Sequence, residues 1–235
     1  MTKRKSDGPN LRCLTWFFLV FGASSLWAGD IAIFTDLGFS SDEKIYMFAQ
    51  YGVQAKTLYP WADLFVVDVS LNDFVSGGRF SFTHTTAVIP GQDGSGALSR
   101  ILSHNTALAN RYGVNFLNQG RLLYAAPDGV DGETVEFRDF EQGSFYRAIL
   151  VSRVEGTGTD LKSSFYINLD LTDKNDIRKS YLVGNPQIKR RHVTDYRIYK
   201  AMIAPSGGSL ILVIEERKQA DSGFDIRYMV EAIKL

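Results

Sequence analysis

The chain has 235 residues, 26 basic against 26 acidic, one cysteine, 45% apolar and 13% aromatic content. Such a chain can bury a sizeable core, and the same figures exclude disorder, collagen, coiled coil and a disulfide scaffold. Charge neutrality leaves no electrostatic case for nucleic acid as a partner.

Lys3, Arg4, Lys5 and Arg12 precede an apolar run at 13–28 that softens through Gly22, Ala23, Ser24 and Ser25. A basic start, a short apolar stretch and small residues near its end describe a secretory signal peptide over 1–28. Cleavage is expected after Ala28, with Ser25 as the fallback. The run holds 16 residues, short of the roughly 20 a spanning helix needs, so no stable membrane span is expected after cleavage. Cutting at Ala28 removes four bases, Asp7 and Cys13, leaving 22 basic against 25 acidic residues and no thiol. Cysteine nucleophiles and cysteine metal sites are thereby excluded. Residues 29–235 are read as a single mainly-β domain, periplasmic or secreted.

Short runs rich in β-branched and aromatic residues follow in chain order at 44–51, 63–69, 79–85, 134–140, 145–154, 165–171, 180–183, 196–203, 210–215 and 226–233. Gly77-Gly78, Asp128-Gly129, Asp131-Gly132 and Gly207-Gly208 punctuate them with turn chemistry. Strand-turn-strand spacing of this kind predicts antiparallel meander sheets, sandwich-like or, alternatively, partial propeller-like blades. One segment departs from it. Between 97 and 112, Leu98, Ile101, Leu102, Leu108, Ala109 and Tyr112 fall on one helical face, with Arg100, His104 and Arg111 on the other. One packed α-helix is expected there, with Ser95 as N-cap and Gly113 as the stop.

An internal echo links Phe39-Ser40-Ser41-Asp42-Glu43-Lys44-Ile45 to Ile203-Ala204-Pro205-Ser206-Gly207-Gly208-Ser209-Leu210. Each reads apolar, small, turn, then an alternating strand. Asp36-Leu37-Gly38-Phe39-Ser40-Ser41-Asp42, Phe48-Ala49-Gln50-Tyr51-Gly52-Val53 and Tyr59-Pro60-Trp61-Ala62-Asp63-Leu64 resemble the opening of a bacterial family of predicted secreted proteins, domain of unknown function 2259. The similarity resumes at 196–212 and 225–230. Ser41-Asp42-Glu43 stands where the family usually has Pro-Asp-Gly. The resemblance implies export and carries no assigned activity or catalytic residues.

Motifs that could carry chemistry are sparse. Gly91 and Gly96 have the spacing of a phosphate loop, but Ala97 and Leu98 occupy the positions that need Lys and Ser or Thr. The segment reads as a loop leading into the helix. His84, His104 and His192 share no metal-ligand spacing. Asp128, Asp131 and Glu133, and likewise Asp170, Asp173, Asn175 and Asp176, read as hairpin tips; neither set meets the EF-hand order, so no cofactor is expected, structural Ca²⁺ being the sole candidate.

Two features point to binding. Lys189-Arg190-Arg191-His192 is a compact basic run suited to an acidic partner, or else a solvated loop. Tyr59-Pro60-Trp61 places an aromatic pair between two strands, with Trp61 either an exposed anchor or a plug in the core. The expected role is therefore a non-catalytic binding module of the cell envelope, its partner an envelope protein or polymer, its contacts Tyr59, Trp61, Lys189, Arg190 and Arg191. One alternative is a hydrolase of envelope polymer using paired carboxylates from Asp36, Asp42, Asp63 and Asp68. The other is an architectural subunit that assembles through an edge strand.

Overall fold

A computed structural model describes residues 29–127, 129–220 and 223–235; the predicted leader at 1–28 and Asp128 lie outside the described residues. The first sheet is the meander β1 (Ile33–Phe39), β2 (Ile45–Val53), β3 (Pro60–Asp68) and β4 (Asp73–Thr83). Two helical segments follow, α1 (Ser95–His104) and α2 (Thr106–Tyr112), then β5 (Arg121–Ala125). The chain next builds a sheet from β6 (Thr134–Asp139), β7 (Ser144–Glu155), β8 (Lys162–Thr172), β9 (Arg178–Val183) and β10 (Arg190–Arg191). It returns through β11 (Val193–Ile203), β12 (Ser209–Gln219) and β13 (Phe224–Lys234), which join β5 in the order β13-β12-β11-β5. All named strand pairs are antiparallel. The middle sheet thus takes its fourth strand from before the β6–β10 sheet, and the result is a layered sandwich with an added sheet.

Burial along each strand gives the layer order. On β6 buried and exposed residues alternate, so that strand has one wet face. On β12 the first eight residues, Ser209 to Glu216, are all buried, which requires cover on both faces. Leu210, Leu212 and Ile214 pack with Phe137, Tyr146, Ile167 and Leu169 of the β6–β10 sheet. Ile211 and Val213 turn the other way, onto Phe39, Tyr46, Phe48 and Val67 of the first sheet. The far face of the first sheet, with Met47, Ala49, Leu64 and Val66, carries Ala97, Ile101 and Ala109 of the helices. Helices, first sheet, middle sheet and β6–β10 sheet therefore stack in that order. Truncating one of the filled core side chains to Ala would cost about 2–5 kcal/mol.

The predicted helix is present, interrupted at Asn105. Asn105 is non-helical (φ −113°), and its side-chain amide donates to Ile101 O at 2.8 Å, sharing that carbonyl with its own backbone N–H at 3.2 Å. Gly94, not Ser95, is the N-cap, while the Asp93 carboxylate accepts from the Ser95 N–H and hydroxyl. Gly113 ends the helix in the left-handed region at φ 62°, as expected of a C-terminal glycine. Strands β1 and β5, which the pattern of apolar runs did not mark, complete their sheets as edge strands.

Among the described residues no helix is long and apolar enough to cross a membrane.

Candidate functional site

Tyr59, Pro60 and Trp61 do not form a free loop, because β3 begins at Pro60. A proline is tolerated there since the first residue of a strand can lack its donor. Trp61 is 5% exposed. Its indole N–H donates to Asp30 Oδ1 at 3.0 Å, and the Arg227 guanidinium lies 4.2 Å from its ring centroid. Arg227 also donates to Asp30 Oδ2 at 2.7 Å and to the Asp30 carbonyl at 2.9 Å. Asp30 N–H in turn reaches Asp225 Oδ1. Burial raises the Asp30 pKa, against the pull of Arg227 and the Trp61 bond. Trp61 is a core plug that fastens the start of the described chain to β13. Of the aromatic pair, Tyr59 alone keeps partial exposure.

The basic run lies on a different sheet, and two of its members are already engaged. Arg190 turns inward, its guanidinium over Phe165 (4.8 Å) and paired with the buried Glu216 at 3.2 Å. Lys189 Nζ donates to Glu155 Oε1 at 3.0 Å and to Ser164 Oγ at 3.3 Å. Arg191 is exposed. The register of β10 on β8 sets Arg191 directly opposite Lys162, and that of β7 on β8 sets Glu155 opposite the same lysine. Arg153, two residues before Glu155 and so on the same face, pairs with it at 3.0 Å. Arg153, Lys162 and Lys189 are thus gathered around one carboxylate, and Arg191 extends the row of cations to four from across Lys162. Lys189, by hydrogen bond and charge, and then Arg153 and Lys162 hold the Glu155 pKa below its ordinary value. Arg153 and Lys162 escaped the reading of the sequence because they enter from either side of a hairpin. The signal available was that both flank the 156–161 turn, where hairpin pairing brings Lys162 opposite Glu155, two residues from Arg153.

The proposed acids have separate roles. Asp42 is bound by Ser40 Oγ (2.7 Å) and Lys44, which lower its pKa to about 2. Asp68 accepts from Ser70 and Leu71 within its own turn, which also lowers its pKa. Asp63 takes the Gln50 amide at 3.1 Å. Asp36 differs: burial raises its pKa, partly offset by bonds from Gly38 N–H and others, and its charged neighbour is Lys200. Asp173, one of the suggested Ca²⁺ ligands, spends its carboxylate on the Asn175 and Ile177 N–H groups. Among the described residues, no three His, Cys, Asp or Glu side chains are grouped to hold a metal.

Over residues 47–234 the chain matches the model of a family described as predicted secreted protein, domain of unknown function 2259. The chain belongs to this family. No curated protein and no solved structure matches it. The stretch that matches the family runs from β2 to β13, so it contains the four cations and the β6–β10 sheet that positions them. Export in general follows from the family's description.

Proposed function

We propose that the mature protein is a non-catalytic binding module of the cell envelope, periplasmic or secreted, whose ligand is an anionic envelope polymer. The observation behind this reading is the register that sets Arg191 against Lys162. Like charges directly opposite on a sheet cost roughly 0.2–1 kcal/mol. A polyanion laid over that row would turn the cost into attraction, and Glu155 is too few charges to do so. The contrast with the rest of the chain supports a local role: residues 29–235 carry 22 bases against 25 acids. Tyr59 lies just before β3 of the first sheet, away from this row in the layer order, and has no part in it.

Titration of the purified protein with long-chain polyphosphate, with neutral dextran as control, tests the reading. Binding should be seen for polyphosphate alone, weaken steeply with salt, and fall at least tenfold in a Lys162→Glu/Arg191→Glu variant. Equal binding by that variant, or equal binding of dextran, would remove the basis of the proposal.

A further inference from the structure

A second concavity lies on the helix side of the stack, three layers from the basic row. The segment after β4 leaves the sheet and passes alongside residues 58–60: His84 N–H donates to Pro60 O and Val88 N–H to Leu58 O, each at 2.9 Å. It then folds on itself, with Ile89 N–H bonded to Gln92 Oε1 and Gln92 N–H to Ile89 O, before α1 begins. Between this strap and α1 a cavity of about 630 Å³ opens, with Phe82, Val88, Ile89, His84 and Arg100 among its walls. Small-molecule sites fall in this size range, roughly 300–1,000 Å³, and combine apolar walls with a few polar groups.

The polar groups here have a definite sign. Phe82 lies between two nitrogenous side chains, the Arg100 guanidinium 5.3 Å from its ring centroid and the His84 ring edge-on at 6.2 Å. Among the described residues Arg100 has no carboxylate partner, unlike Arg121, Arg190, Arg197 and Arg227. His84 Nδ1 accepts the Thr86 N–H at 3.0 Å, so its donor is Nε2. The one carboxylate on the wall, Asp93, is turned to the Ser95 N–H and hydroxyl. One unanswered guanidinium beside an aromatic ring, with an acid nearby, favours a single negative charge over a phosphate dianion. Ile89 is 68% exposed at the rim, an apolar side chain with nothing yet upon it.

We propose that this cavity binds a small amphipathic monocarboxylate, its apolar body against Phe82 and Ile89 and its carboxylate on the Arg100 guanidinium. Such a ligand is recognised independently of any polyanion on the opposite side of the stack.

Calorimetric titration of the purified protein with octanoate, against octanamide as the uncharged isostere, is the test. For about ten heavy atoms a dissociation constant on the order of 0.1 mM is expected for octanoate, with octanamide at least tenfold weaker. Arg100→Gln, an exposed helical substitution, should abolish the preference for the acid over the amide. Ile89→Asp, at an exposed rim position, should abolish octanoate binding while the melting temperature holds. No octanoate binding by the parent protein, equal affinity for acid and amide, or undiminished octanoate binding by either variant would each overturn the proposal.

Discussion

Glu43 accepts two hydrogen bonds from Ser206, one from its backbone N–H at 2.8 Å and one from its hydroxyl at 2.5 Å. The two residues are 163 positions apart, and they sit in the two turns whose sequences echo one another. The β1–β2 turn of the first sheet is thereby fastened to the β11–β12 turn of the middle sheet. Glu43 holds this pose at φ +54°, in the left-handed region that non-glycine residues seldom take. A double-mutant cycle of Glu43→Ala and Ser206→Ala, read by urea unfolding, should give a coupling of about 1 kcal/mol. Additive effects of the two substitutions would show that the turns are not joined energetically.

The Asp30–Trp61–Arg227 clasp should be sensitive to loss of a single proton donor. Trp61→Phe keeps most of the aromatic volume but leaves Asp30 Oδ1 without its indole donor. The expected loss is about 1–3 kcal/mol in urea unfolding, the cost of an under-satisfied buried polar group. Asp30→Asn in the Trp61→Phe background should then cost less than it does in the parent protein, because the carboxylate it removes has already lost that partner.

Glu231 gives a pH dependence of defined sign. It is 5% exposed on β13, takes a hydrogen bond from the Asn72 amide, and burial raises its pKa above the ordinary 4.5. The folded state therefore binds this proton more tightly than the unfolded chain does. Its contribution is fully present below pH 4.5 and is lost as the pH rises through the raised folded value. Glu231→Gln should accordingly be more stable relative to the parent at pH 7 than at pH 4. Unfolding curves at the two pH values check this, and an unchanged difference between the proteins would count against it.

Two neighbouring glycines should respond in opposite directions. A Cβ on Gly94 would meet the backbone oxygen of Gly52 at 2.2 Å and its carbonyl carbon at 2.8 Å. Gly94→Ala must push α1 away from β2, at about 1–3 kcal/mol. A Cβ on Gly96 meets nothing within 4 Å, and the residue is inside α1. Gly96→Ala should stabilise by about 0.4–1 kcal/mol through helix propensity and a less free unfolded chain. Thermal melts of the two variants suffice.

The basic row carries a stability prediction separate from binding. Arg191→Glu replaces a like-charge pair with Lys162 by an opposite-charge one on an exposed surface. It should raise stability by a few tenths of a kcal/mol up to about 1 kcal/mol while weakening polyphosphate binding. A protein that is less stable yet still binds would contradict the register argument.

Local patterning carried much of the architecture. Runs such as 134–140, 165–171 and 226–233 were legible as strands because side chains alternate faces with period two and glycine turns bound them. The helix was legible from its spacing at three and four, and Gly113 from its need for a positive φ. Strand β1 was obscured because Asp36 and Gly38, residue types depleted in strands, interrupt its apolar pattern, and the register shifts between them. Strand β5 is short, and three of its five residues are only half buried, so it offers little periodic signal. The basic run was visible at 189–192, yet half of the site was not, since Arg153 and Lys162 join it through strand register.

From its residues alone the chain was readable as an export candidate with β-meanders and one helical segment, since leader composition, period and turn chemistry are properties of neighbours in sequence. The layer order, the inward turn of Trp61 and Arg190, and the buried carboxylates Glu215, Glu216 and Glu231 were decided by tertiary structure. Each of those acids meets a partner on another strand or loop: Arg197 across β11–β12, Arg190 from the neighbouring sheet, Asn72 from the loop before β4. Whether a charge is buried and answered depends on which faces of which sheets come together. That is set by the packing of strands far apart in the chain, which no local spacing encodes.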